Sequence, residues 1–569
     1  MNPILVSVVI PTYNPGPYLG PGLASLFAQT LAADQFEIIV VDDGSTDGTP
    51  ERVEALAATH SNLVVIRSEH SGWAGRPRNL GIERARGEFI QFMDQDDRMA
   101  PDALQRLTET ARRNGSDIVL GKVASDFRGV ALDLYRRDRD SCTIHDAPLI
   151  SSLTPHKMFR TAFLNEHGLR FPEGRRRLED QLFVVKAYFA ARVISIRADE
   201  PLYFYMKRDD DGNAGSDPSW DPAGYYANLR EVLDVVVANT DRGPQRDRLM
   251  RRFCRAQLVG RLAGGMFLTW TPDFRATVFA NIRDVIVDYV DRDVDASLGA
   301  IVALRMRLIR EDRLADLVTL AERTSELVGL SRVESLRWAG GRLDAAISTE
   351  IRHRDGTPFL FGRVGGRTTL DPTLSQDLVG VSIDVTDEMA AVRVSSLVRE
   401  RTSGVEWQAS TKVRPDWVPV DADGRESGRS RLVLHGSCQV DPNDAAGGGP
   451  LAPGDWLWQT RLAAFGLKLD RGLGADTDAD GMVVMPRPRS IEPNLSAQPT
   501  LSPGSGLTIL VTAVTAPPAH GSIHRRPGTS RRRMRATLGR LGRRTFARLP
   551  PAVQRRSIAA IRLLRRRIR

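Results

Sequence analysis

Residues 36–49 read Phe36-Glu-Ile-Ile-Val-Val-Asp42-Asp43-Gly-Ser-Thr-Asp-Gly-Thr49. An apolar run stops abruptly at two carboxylates and a glycine turn. The pattern has two companions. Val6-Ser-Val-Val-Ile-Pro-Thr-Tyr-Asn14 precedes it, and Glu88-Phe-Ile-Gln-Phe-Met93 runs into Asp94-Gln-Asp-Asp97 after it. Short, almost wholly apolar runs are strands buried on both faces, as in a parallel sheet. Between them the spacing predicts helices over 21–30, 49–59, 78–85 and 101–113, with further strands at Val64–Ile66 and Ile118–Leu120. A left-handed helix cap is expected at Gly87. Strands alternating with helices build an open α/β sheet. Such sheets bind ligands at the carboxyl ends of their strands. Clustered carboxylates at that edge suit a hard divalent cation and a sugar hydroxyl.

The segments VVIPTYN, VVDDGSTDGT, PRNLGI and FMDQDD follow one another within the first hundred residues. In order and spacing they resemble the family 2 glycosyltransferases, over about residues 4–210. The resemblance implies a GT-A fold, a Rossmann-like mixed sheet that binds nucleotide-diphospho-sugars. It also implies roles. Asp96 is the ligand of Mn²⁺ or Mg²⁺, and Asp94 touches the metal or the ribose. Pro11, Tyr13 and Asp43 hold the base and ribose, with Asp43 accepting from a uracil N–H. Arg78 lies beside base and phosphates. In Leu178-Glu-Asp-Gln181, Asp180 is the general base, and Glu179 contacts the donor sugar or orients its neighbours. Asp97 is structural or touches the donor sugar. His156-Lys-Met-Phe-Arg160 stands where relatives carry phosphate-binding cations, and Arg208 is the candidate for the diphosphate. The acidic stretch after Arg208, Asp209–Ala214, departs from the family pattern.

At 569 residues the chain exceeds a single core and predicts several domains. The organisation expected is a catalytic domain over 1–221, a helical linker over 222–345, a β-sandwich-like domain over 346–516 and a basic tail over 517–569. Strands are expected at 379–385, 431–435, 455–462 and 507–511. Asp476-Thr-Asp-Ala-Asp-Gly481 begins like a calcium loop, but Arg487 stands where a bidentate Glu is needed, so a polar hairpin loop is the reading. Cys142, Cys254 and Cys438 are too scattered for a disulfide framework or zinc site and are expected as buried thiols. Met1-Asn-Pro-Ile-Leu enters a strand without a basic leader, which predicts a cytoplasmic chain.

The formal charge of +9 is uneven, because residues 522–569 contain 17 Arg and no Asp, Glu or Lys, which leaves −8 on the remainder. Leu and Ile recur among those arginines at helical spacing. The 524–569 segment is expected to lie on an anionic membrane surface, at the inner face of the plasma membrane, and nucleic acid is not its expected partner.

The whole layout is similar to bacterial wall teichoic acid glycosyltransferases. That similarity implies an inverting, metal-dependent enzyme. It would move a sugar from a UDP-sugar donor, UDP-GlcNAc among the candidates, to a polyol-phosphate surface polymer. It also implies self-association through the β domain. Two alternatives stand beside it: transfer to a lipid-linked saccharide, and a non-catalytic glycan-binding GT-A scaffold.

Overall fold

A computed structural model describes residues 3–210, 220–420, 428–474, 483–491, 494–502 and 506–513. The catalytic sheet has nine strands: β1 Val6–Thr12, β2 Phe36–Asp42, β3 Leu63–Arg67, β4 Phe89–Phe92, β5 Arg98–Met99, β6 Ile118–Ser125, β7 Arg139–Cys142, β8 Met158–Arg160 and β9 Ile194–Tyr205. Their order is β3-β2-β1-β4-β8-β6-β9-β5, with β7 on β9. The β3-β2-β1-β4 portion is parallel. β8 runs antiparallel between β4 and β6, which makes the sheet mixed. Every residue of β1, β2 and β4 is buried, as their unbroken apolar runs require.

Helices α1 Leu19–Phe27, α2 Thr49–Ala57 and α3 Gly75–Arg84 make the parallel crossovers, and α4 Ala103–Asn114, α5 Thr161–Glu166 and α6 Glu179–Ala190 follow. α3 lies close on the sheet because Gly81 has no side chain: a Cβ there would stand 2.2 Å from Val9 Cγ1. The expected cap at Gly87 is corrected. α3 ends at an extended Ala85, and Gly87 has no positive φ. Gly87 serves space instead, since a Cβ would come within 2.5 Å of the Ser7 nitrogen.

Seven α-helices fill residues 222–325, from α7 Pro222–Ala238 and α8 Pro244–Ala256 to α13 Leu314–Ser325. Asp221 caps α7 by accepting from the backbone N–H groups of Ala223 and Gly224. Helix was expected up to residue 345; the structure corrects this, because strand β10 already spans Leu327–Ala339. Its buried residues alternate at Leu327, Gly329, Ser331 and Val333, the two-residue period of a strand with one face covered.

The remaining strands are antiparallel: β11 Arg342–His353, β12 Leu360–Val364, β13 Arg367–Leu370, β14 Arg393–Glu400, β15 Glu406–Pro419, β16 Arg429–Val440, β17 Gly454–Ala464, β18 Leu467–Gly472, β19 Arg489–Ile491, β20 Leu495–Ser502 and β21 Gly506–Ala513. The sheet runs β10-β11-β16-β15-β14-β17-β21-β20-β19, with β18 also on β17. It curls until β10 meets the residues after β18, where Val333 N–H donates to the Gly474 carbonyl at 2.8 Å. Trp456, Trp458 and Phe361 are among its most deeply buried large side chains. The strand expected at 379–385 is corrected: Asp371 caps a helix Pro372–Val379 that Gly380 ends at φ 71°. The three cysteines are buried and free. Among the described residues no helix is long and apolar enough to cross a membrane. The calcium-like loop at 476–481 and the basic tail lie outside the described residues.

Candidate active site

The register of β1 on β2 and β4 brings Thr12 beside Asp42 and Val9 beside Phe92. The next residues of all three strands therefore open into one cleft, of about 1120 Å³. It takes Pro11, Tyr13 and Asp43 from the β1 and β2 ends, Arg78 from α3, Asp94–Asp97 after β4, Glu179 and Asp180 from α6, and Arg208 after β9.

One corner of it is built on Asp43. That carboxylate is 3 % exposed and accepts the Ser71 N–H at 3.0 Å and the Ser71 hydroxyl at 2.7 Å. His70 Nδ1 stands 3.1 Å from it. The His70 ring stacks on Tyr13 with centroids 4.1 Å apart. Tyr13 is 42 % exposed, an aromatic face open to the cleft. Asp42 turns inward and accepts from the Ser45 N–H at 3.0 Å, closing the turn.

The acidic centre is graded by its partners. Arg78, buried, donates to Asp94 at 2.9 Å and to Glu179 at 3.2 Å. It thus bridges the β4 end to the start of α6. His156 Nε2 lies 2.9 Å from the other Asp94 oxygen, turned off the hydrogen-bond direction. Burial works against ionisation of Asp94, but His156 and Arg78 hold its carboxyl well below the usual range. Asp97 accepts the Tyr203 hydroxyl at 2.7 Å and the Met206 N–H at 3.0 Å, a structural role. Burial and the neighbouring Asp94 push the Asp96 carboxyl up to about 6, against the partial opposition of Arg208 and Arg128. Ligating atoms of Asp94, Asp97 and His156 lie within 4.8 Å of one another. Both Asp97 oxygens already accept hydrogen bonds, and one Asp94 oxygen accepts from Arg78. A carboxylate raised by burial and its neighbours' negative charge, as Asp96 is, gains from a nearby cation.

Asp180 stands one residue inside α6, after Leu178 at φ 66°. A left-handed backbone at a branched residue is uncommon and cost-bearing. It turns the chain so that α6 starts at the cleft. Asp180 Oδ1 accepts the Gln181 N–H at 2.7 Å. Burial and Glu179 push the Asp180 carboxyl up to about 7, opposed by Arg78. A carboxylate of that strength takes a proton at neutral pH far more readily than an ordinary one.

Other expectations are placed less directly. Arg208 lines the cleft over the Tyr18 ring at 4.4 Å, and it donates to both Asp210 oxygens at 2.9 and 2.8 Å. Of the basic residues in 156–160, only His156 lines the cleft. Lys157 turns inward to the Thr154 carbonyl, and Arg160 donates to Glu88 at 3.2 Å and to the Ser116 carbonyl at 3.0 Å. The expectation of phosphate-binding cations is corrected for Lys157 and Arg160, because Lys157 is taken up by the preceding loop at Ser152 and Thr154, and Arg160 at the end of β8 by the residues leading into β4 and β6. Residues 211–214 lie outside the described residues.

Sequence reasoning missed His70, Trp73 and Arg128, and the wall built by the helical segment. Tyr225, Gln257 and Arg261 line the cleft from α7 and beyond α8. Gln257 donates to Gln181 at 3.1 Å, next to Asp180. No local motif marks these residues, since only packing carries them there.

Residues 7–177 match the family model of Glycosyl transferase family 2, and residues 222–321 match that of the Glycosyl transferase TarS linker domain. The chain carries a family 2 glycosyl transferase domain followed by a TarS linker domain. Among relatives of the transferase domain, a poly(ribitol-phosphate) beta-glucosyltransferase of Bacillus spizizenii is 31% identical over 315 residues, 55% of this chain and 49% of the relative. The poly(ribitol-phosphate) beta-N-acetylglucosaminyltransferase TarS of Staphylococcus aureus is 35% identical over 237 residues, 41% of each chain. The chain thus spans half or less of the length of these curated relatives. The crystal structure of S. aureus TarS 1–349 in complex with UDP-GlcNAc is similar with a TM-score of 0.52 and 26% identity, covering 65% of this chain and 97% of that one.

Proposed function

We propose that the protein is an inverting glycosyltransferase that moves a sugar from a UDP-sugar to a hydroxyl of a polyol-phosphate polymer. One observation carries this reading: an aromatic nucleotide corner, a graded carboxylate centre and a carboxylate with a raised pKa share a single cleft. Asp180 takes the proton of the acceptor hydroxyl. The acceptor oxygen forms its bond to the anomeric carbon as the bond to the diphosphate oxygen breaks, and UDP leaves with that electron pair. One displacement inverts the configuration. Tyr13 covers the base and Asp43 meets its N–H edge. Arg78 fixes Asp94 and Glu179 relative to each other, so the donor and the base keep their spacing. Arg208 faces the diphosphate. Asp96 and Asp94 would hold a Mn²⁺ or Mg²⁺ ion, which when bound would supply positive charge for the departing diphosphate.

The donors to test are UDP-GlcNAc and UDP-glucose, because the similar proteins carry those two sugars in their names. The acceptors are poly(ribitol phosphate), a lipid-linked saccharide and buffer alone, each with and without Mn²⁺. Transfer to the polymer is the expected result. Transfer to the lipid-linked saccharide alone replaces the acceptor, and absence of donor turnover in every arm leaves a glycan-binding scaffold.

The tail places this cytoplasmic enzyme on an anionic membrane. Each Arg near such a surface contributes about 1 kcal/mol, so partial engagement of the 17 arginines suffices. Full-length protein should co-sediment with anionic vesicles at physiological salt, and protein lacking residues 524–569 should not. Sedimentation velocity of the same samples tests self-association through the β region, with loss of a larger species on deleting that region as the expected result.

A further inference from the structure

Residues Met1–Val514 form one compact unit, and a second cavity of about 350 Å³ lies where its β region meets the catalytic sheet. It shares no lining residue with the acidic cleft. The seam around it is close. Gly404 at φ 68° and Gly447 at φ 64° lie against catalytic backbone, where a Cβ would come within 1.8 Å of the Ser125 carbonyl and 2.2 Å of the Asp199 carbonyl. Arg399 also donates to the Ser125 carbonyl at 2.7 Å. A cavity with such walls is preformed.

Lys122 points into it. This residue is 3 % exposed and lies at a β-bulge, where the pairing of β6 with β9 slips on both sides of it. Bulges re-aim side chains in this way. Its Nζ lies 3.0 Å from the centroid of the Trp407 ring. The acidic groups nearest to it already serve arginines: Glu406 pairs with Arg399 at 2.6 Å, and Asp199 with Arg197 at 2.9 Å. Burial pushes the ammonium down to about 7 despite Glu406 and Asp199. A buried ammonium that a ring stabilises only in part gains from an oxyanion. Gln408, Ser410 and Gln439 are among the residues that line the same space, together with Asp441 and Asp444. Those groups match hydroxyls, and the volume suits a small ligand.

We propose that this cavity binds a phosphate group of a polyol-phosphate chain, with Lys122 as its cation and Gln408 and Gln439 on the adjoining hydroxyls. The proposal deepens the reading of the acceptor and, for the polymer, rests on it. A chain held here and in the acidic cleft together is held twice. Long acceptors then bind more tightly than short ones without any new contact at the reacting hydroxyl.

The test uses the full chain without donor. Binding of an oligo(ribitol phosphate) and of inorganic phosphate is measured by calorimetry for wild type and Lys122→Met, which keeps the stem against Trp407 and removes the charge. UDP affinity serves as the control for folding. Oligomer affinity should fall about tenfold or more, the scale of one charge-assisted hydrogen bond. With donor added, KM for long acceptors should rise while kcat on a short acceptor stays unchanged. On the wild-type chain, the oligomer should shield Lys122 from an acylating reagent, read by peptide mass spectrometry, so a misfolded variant does not decide the matter. Shielding by inorganic phosphate alone would support the anion site with free phosphate as its source. Equal oligomer affinity in both proteins with UDP affinity intact, or no shielding by either probe, overturns the proposal. Failure of all acceptors to be glycosylated would remove the functional reading, while the phosphate arm would still judge the site.

Discussion

The catalytic cleft and the β region both hold buried carboxylates, and they treat them in opposite ways. In the β region Glu350 is 5 % exposed and ringed by arginines, with Arg352 at 2.8 Å and Arg431 at 3.0 Å. In the cleft, Asp94, Glu179 and Asp180 crowd around Arg78 as their common buried cation, with Asp96 beside Asp94. Compensated charge of the first kind locks strands together. Crowded charge of the second kind raises pKa values and leaves carboxylates ready for a proton or a cation. The difference separates residues kept for stability from residues kept for chemistry.

The largest effect should come from Asp180→Asn. The amide keeps the shape and cannot take a proton, so transfer should fall by about 10²–10⁴-fold, the scale of a general base. UDP affinity, measured in parallel, should hold; if it collapses instead, Asp180 belongs to binding. Asp96→Ala should follow, with a loss of about 10²–10³-fold, as for removal of one electrostatic stabiliser of developing charge. Its residual rate should no longer respond to EDTA, and a variant as EDTA-sensitive as wild type would move the metal elsewhere.

The pH profile gives a third, smaller test. Asp180 must be ionised to act, and its carboxyl is raised to about 7. The rate should therefore climb about tenfold per unit up to about pH 7 and level off above it. Glu179→Gln removes the adjacent negative charge and should move that midpoint down. A midpoint near 4 in wild type would contradict the crowding argument.

Stability sharpens the contrast at the smallest scale. Glu350→Gln should cost about 1–3 kcal/mol, the range for losing charge-assisted bonds, and should lower the melting temperature without altering the rate. Asp180→Asn should do the reverse. Because its folded pKa exceeds the ordinary 3.8, the folded state resists ionisation of Asp180. That resistance grows as pH rises from about 4 to about 7 and is complete above it. The variant should thus melt above wild type at pH 8, with the gap closing near pH 4. Thermal melts of both variants across this range would show whether the two regions differ in sign.

Much of the catalytic half was legible because its signals are local. An apolar run followed by Asp42-Asp43-Gly44 declares a buried strand and the polar turn at its end, and three such runs in register must open on one edge. Asp180 was legible as a general base through the resemblance but not as a carboxylate shifted to about 7, since that shift comes from burial and from Glu179, opposed by Arg78, in the folded chain. Arg78 was expected beside a ligand and proves to bridge Asp94 and Glu179, residues 16 and 101 positions away. The helical expectation overran β10 because strong 3.6-residue periodicity up to Leu308 obscured the alternation that begins at Leu327.

The sequence by itself determined the alternation of strands and helices from β1 to β6, apart from the short β5, the ligand-binding edge of the sheet and which carboxylates stand there, but not β7, β8 and β9. Hydrophobic period and turn chemistry act over a few residues and need no partner to be read. Tertiary structure alone decided which of those carboxylates are quenched and which are raised. It also brought Tyr225, Gln257 and Arg261 to the cleft wall and Lys122 under Trp407. These outcomes depend on burial and on charges brought together from distant parts of the chain, and neither quantity exists until the chain is packed.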